Sequence, residues 1–179
     1  MRGGVIIAMP PRTTDMKTKL YPGGNGLDEK TRHKMIDLLN QQLADVLDLG
    51  LQSKQAHWNV KGPHFIGLHE LFDKVAEELE EFTDDIAERA VELGGTALGT
   101  IQIVSKYSRL PVYPLDLASG NGHVTKLAGS LSEFATSTRV AIDAAGKSGD
   151  ADTADLFTEV SRGVDKLLWI VEAHLQSKD

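Results

Sequence analysis

His69, Asp73, Asp84 and Glu88 are side chains of the kinds that hold metal ions, and their spacings of four, eleven and four residues suit one side of a helix. At about 100° per residue, with His69 at zero, Asp73 lies at about 40°, Asp84 at about 60° and Glu88 at about 100°. Leu71, Phe72, Val75, Leu79, Phe82 and Ile86 centre at about 260°, so the polar stripe faces away from the core of its own bundle. The midpoint of His69 and Asp73 is about 22 Å along the axis from that of Asp84 and Glu88, at about 1.5 Å per residue, whereas metal–ligand bonds are about 2 Å. The four cannot share an ion within one chain. An antiparallel second copy, related by a two-fold axis near residues 78–79, would bring His69 and Asp73 of one subunit against Asp84 and Glu88 of the other, twice per dimer. His57, followed by Trp58, is a further candidate ligand because the Gly62-Pro63 turn folds its end of the chain back beside the second helix. Imidazole and carboxylate donors without sulfur suit a hard or borderline redox-active cation, iron first among them, and zinc fits the same ligand types. The sequence contains no Glu-x-x-His, so a di-iron centre built inside a single bundle is disfavoured.

Four long helices must carry these residues. Asp28 caps the first, whose apolar positions Met35, Leu38, Leu39, Leu43, Val46, Leu47 and Leu49 recur at steps of three and four up to about Val60. The second spans about Phe65 to Leu93 and stops at Gly94-Gly95. Residues 96–120, with Pro111, Pro114 and Gly120, read as a long crossover holding one short helix. The third long helix covers about Asn121 to Ala145, and the fourth about Asp152 to Leu175 after the Lys147-Ser148-Gly149-Asp150 break. The expected fold is all-α, a ferritin-like four-helix bundle whose crossover lies between the second and third long helices.

The chain of 179 residues suits one domain, residues 27–176, between an N-terminal arm (1–26) and a short tail (177–179). It has no cysteine, which removes disulfides, thiolate metal sites and cysteine nucleophiles. The apolar run Val5–Met9 is too short for a secretory signal and no stretch approaches a membrane span, so a cytoplasmic location is the default. The net charge of −7 opposes binding of a polyanion by the average surface. The arm is the exception: Arg2, Arg12, Lys17 and Lys19 face Asp15 alone, so the remaining body is three units more negative than the whole. Translation starting at Met9 or Met16 would remove Arg2, and in the second case Arg12.

The stretch His57-Trp58-Asn59-Val60-Lys61-Gly62 and then Leu68-His69-Glu70-Leu71-Phe72-Asp73 resembles the first signature of the Dps family, and Asp84-Asp85-Ile86-Ala87-Glu88-Arg89 to Leu93-Gly94 resembles its second. Tyr113-Pro114-Leu115-Asp116, Asp152 to Asp155 and Lys166 to Trp169 are similar to later family segments, so the likeness covers about residues 28–176. The resemblance implies a dodecameric cage with ferroxidase centres at two-fold interfaces. His57, His69 and Asp73 would come from one subunit, Asp84 and Glu88 from its partner. It also implies hydrogen peroxide as the favoured oxidant of ferrous iron, a ferric mineral stored inside, no organic cofactor, and protection of DNA, with nucleoid association in some members. Trp58, beside the site, would supply or absorb an electron, or simply pack in an interface.

Glu77 and Glu80 fall on the same stripe, where they would nucleate mineral or merely solubilise the helix. Asp150, Asp152 and Asp155 cluster before and within the start of the fourth long helix, either at a cation-admitting pore, as the resemblance implies, or as ordinary N-terminal capping. Twelve copies of the basic arm would bind DNA together although each is weak, so a nucleoid-compacting protein with secondary iron chemistry is the alternative reading. A cage with only incidental metal affinity is the third.

Overall fold

The computed structural model describes residues 19–177. Asp28 begins the first helix as a cap: its carboxylate accepts from the Thr31 N–H at 3.0 Å and the Thr31 hydroxyl at 2.9 Å. The helices are α1 (Glu29–Asn59), α2 (Phe65–Glu92), the short α3 (Ile101–Tyr107), α4 (Gly120–Lys147) and α5 (Ala151–Glu172), followed by a 3-10 turn at Ala173–Leu175. Each expected element is present with its ends shifted by three residues or fewer, and no strand occurs among the described residues. None of these helices is long and apolar enough to cross a membrane. Residues 1–18, which hold Arg2, Arg12 and Lys17, lie outside the described residues. Lys19 is exposed with its Nζ 5.0 Å from the Tyr21 ring centre.

α1 pairs with α2 and α4 with α5 as antiparallel hairpins, and the two hairpins close on a shared apolar core. Phe72, Phe134, Phe157, Met35, Leu39 and Leu79 are among its fully buried side chains. The hairpin turns need glycine. Gly62 and Gly149 adopt φ of 115° and 81°, in the left-handed region that costs a residue with a Cβ. At Gly163 on α5 the constraint is steric, because an added Cβ would fall on the Phe82 ring of α2. Gly163→Ala is therefore expected to destabilise the fold by about 1–3 kcal/mol through overpacking, readable as a lowered midpoint in chemical denaturation. An unchanged midpoint would mean that the ring relaxes at no cost.

The crossover from Leu93 to Ser119 is held by a polar face of α1. Asn40 donates to the Thr96 carbonyl at 3.0 Å and accepts from the Leu98 N–H at 2.8 Å. Gln41 and Gln52 donate to the carbonyls of Tyr107 and Pro111. Asp45, 1% exposed, accepts from the Arg109 backbone N–H at 2.7 Å and from Nε at 2.9 Å, and pairs with Nη2. These side chains satisfy the backbone groups of a segment that has few helical bonds of its own.

Candidate metal centre

The α1–α2 turn sets His57 and His69 face to face. Their rings stack with centroids 3.7 Å apart at an interplanar angle of 22°. His57 Nδ1 lies 2.8 Å from the His69 carbonyl oxygen, and His69 Nδ1 lies 2.8 Å from the His57 carbonyl oxygen. A carbonyl only accepts, so each Nδ1 carries a proton, which leaves Nε2 as the only ring nitrogen able to offer a lone pair. Backbone support of this kind fixes both tautomer and ring orientation, which is how ligating histidines are commonly prepared.

Asp73 follows His69 by one turn, and its Oδ1 is 3.9 Å from His57 Nδ1. The same oxygen pairs with Lys54 Nζ, a residue one turn before His57 on α1. The Lys54 hydrogen bond, aided by the nearby His57 and His69 rings, holds the Asp73 carboxyl below the usual aspartate range. Lys54 was not among the sequence candidates. Its position three residues before His57, hence on the same helix face, was the available signal. Trp58 is 64% exposed, with Lys54 Nζ 5.9 Å from its ring centre.

Asp84 and Glu88 are exposed further along α2. Fifteen residues separate His69 from Asp84, and as many separate Asp73 from Glu88, about 22 Å of helix in each case. Accordingly, among the described residues no three His, Asp or Glu side chains of one chain gather as a metal cage. An open trough joins the two ends. Leu47, Gly50 and Leu51 of α1 and Ala76 and Glu80 of α2 line it, with Lys54 and Asp73 toward one end and Asp84 toward the other. Glu77 also lines this trough.

The acidic cluster at the start of α5 divides. Asp150 is 2% exposed, caps Thr153 at 3.1 Å and pairs with Arg89 Nη2 at 2.9 Å. It is a structural cap, and only Asp152 and Asp155 of that cluster face outward.

The Lys54 pair makes a testable difference. A divalent ion at Asp73 must compete with the ammonium, so Lys54→Met is expected to tighten zinc binding several-fold in a calorimetric titration at neutral pH. Equal or weaker binding would show that Lys54 does not compete for that oxygen.

The ferritin-like domain family matches residues 36–178. The DNA protection during starvation protein of Agrobacterium fabrum is 46% identical over 160 residues, covering 89% of this chain and 99% of that protein. Among solved structures, DpsC from Streptomyces coelicolor superposes with a TM-score of 0.85 at 30% identity, covering 89% of this chain and 94% of that one. The Dps protein from Vibrio cholerae, described as a member of a broad superfamily of ferritin-like diiron-carboxylate proteins, superposes with a TM-score of 0.81 at 25% identity, covering 88% and 99%.

Proposed function

This chain belongs to the Dps family of ferritin-like proteins, and we infer that it oxidises ferrous iron at centres shared between two subunits. The observation that carries this reading is the split donor set. His57 and His69, each with Nδ1 held at a backbone carbonyl, lie at the α1–α2 turn near Asp73, while Asp84 and Glu88 stand further along α2 at a distance no single ion spans. A second α2 lying head to tail over the trough joins the two halves, and the partly apolar lining at Leu47 and Leu51 favours burial there.

Ferrous iron is the substrate of this centre. Two ferrous ions and one hydrogen peroxide give two ferric ions and two hydroxides, so the oxygen–oxygen bond is cleaved without net release of hydroxyl radical. The protein's part is to place carboxylates and imidazoles around the ion: the backbone-held tautomers leave Nε2 to bind, and the lowered pKa of Asp73 keeps that carboxyl ionised. The ferric product is stored in the interior of a dodecamer, and removing iron and peroxide together protects DNA. The arm cations Arg2, Arg12, Lys17 and Lys19 add direct, salt-sensitive DNA contact in the cytoplasm.

Anaerobic loading with ferrous iron followed by peroxide titration tests the reaction. The expected end point is one peroxide per two ferrous ions, with a native mass twelve times the subunit mass of 19.4 kDa. A monomeric mass, or an end point set by free-solution chemistry, would overturn the reading.

A further inference from the structure

Behind the same end of the bundle lies a buried pair that the metal centre does not use. Tyr113, from the last part of the crossover, and His123, from the first turn of α4, are 8% and 1% exposed. The phenol oxygen is 2.8 Å from His123 Nδ1. The Phe72 ring, next in sequence to Asp73, lies 6.4 Å from the His123 ring centre. His123 Nε2 has no hydrogen-bond partner, although the carbonyls of Leu117 and Asn59 lie near enough to favour a charged ring. Burial holds the His123 pKa below the usual imidazole value and pushes the Tyr113 phenol well above its own, so both are neutral. Carbonyls only accept, so the ring N–H belongs on Nε2. Nδ1 then receives the Tyr113 proton.

A core Nε2 N–H without a partner is a costly way to achieve packing. The lone pair able to take up a proton is on Nδ1, and it faces the phenol. The other two tyrosines and Trp58 are placed differently, and Trp169 is exposed on α5. Lysine ammonium groups stand over the rings of Tyr21, Tyr107 and Trp58 at 5.0, 4.8 and 5.9 Å, and a cation there opposes the removal of an electron. Tyr113 instead faces a neutral base.

We propose that Tyr113 and His123 form a proton-coupled one-electron store serving the iron centre. The inference rests on the ferroxidase reading, and on Lys54 occupying Asp73, which favours one ferrous ion at a time. A single ferrous ion gives peroxide one electron, and the oxygen–oxygen bond breaks to hydroxide and a hydroxyl radical. Tyr113 gives that radical the second electron, making a second hydroxide, while its proton passes to His123 Nδ1. The products are one ferric ion, two hydroxides, a neutral tyrosyl radical and an imidazolium. A second ferrous ion then returns the electron and His123 returns the proton, which completes the balance of two ferrous ions per peroxide.

The test is freeze-quench electron paramagnetic resonance on the assembled full-length protein, loaded with ferrous iron and mixed with peroxide, with ferrous consumption followed in the same samples. A tyrosyl signal is expected that persists in Tyr21→Phe/Tyr107→Phe and disappears in Tyr113→Phe, where spin-trapped hydroxyl radical rises several-fold. Iron oxidation without a tyrosyl signal, a signal surviving in Tyr113→Phe, or a radical on tryptophan instead would overturn the store and leave the ferroxidase reading standing. Absence of iron oxidation would instead defeat the ferroxidase reading. The pair is then judged on metal-free protein with a flash-generated one-electron oxidant, where oxidation of Tyr113 slowed by deuterated solvent supports it and oxidation elsewhere refutes it.

Discussion

Two variants that are each expected to be inactive should recover activity when reassembled together. His69→Ala/Asp73→Ala removes one half of each centre and Asp84→Ala/Glu88→Ala removes the other. Either alone is expected to slow peroxide-dependent ferrous oxidation by at least about 100-fold, since loss of a ligand exceeds the about 10–100-fold cost of losing a ligand's support. The altered side chains are half-buried or exposed, and the His57 bond to the backbone carbonyl of residue 69 survives the substitution, so assembly persists. In an equal mixture, about half of the dimers pair one variant with the other, and each mixed dimer holds one intact centre and one doubly damaged one. About a quarter of the parental rate should return on unfolding and joint refolding. Recovery that stays at the level of the separate variants would show that these four residues do not meet across an interface.

Arg109→Ala is expected to cause the largest loss of stability, about 3 kcal/mol at neutral pH. The figure belongs at the low end for a broken buried ion pair because the Arg109 side chain is 47% exposed, so water can reach the stranded Asp45 from that side. Burial pushes the Asp45 carboxyl above the usual aspartate range, against the opposing pull of Arg109. An acid whose pKa is higher in the folded state favours folding most when protonated, and its contribution falls as pH rises through the folded value. Removing Arg109 removes a group that lowers that value. The deficit of the variant should thus be greatest near neutrality and shrink as the pH falls into the range where Asp45 is protonated. Denaturant titrations from pH 4 to pH 8 read this directly, and Asp45→Asn in the same background should recover part of the loss. A pH-independent deficit, or no recovery, would locate the effect in lost packing of the Arg109 stem.

The helices were legible because apolar residues at steps of three and four mark a buried stripe whatever lies opposite. The Gly62, Gly94 and Gly149 stops were legible because each demands a backbone angle that other residues avoid. The polar stripe of His69, Asp73, Asp84 and Glu88 on α2 came from the same periodicity, and the distance that keeps its two ends from one ion came from helix rise alone. Asn40, Asp45 and Gln52 were not legible. On a helical wheel they belong to an ordinary solvated face, yet they are 0%, 1% and 4% exposed beneath the crossover. The same limit hid the Tyr113–His123 pair, whose members are ten residues apart but on different elements.

Periodicity and residue type alone determined that this chain forms a four-helix bundle with a His/Asp/Glu stripe facing out of its own core. Which polar side chains are stapled into the interior, which oxygen Lys54 takes, and that Asp150 turns inward were decided only by tertiary structure. The physical reason is that helical repeat reports which residues share a face, while hydrogen bonding and burial depend on what the rest of the chain lays against it.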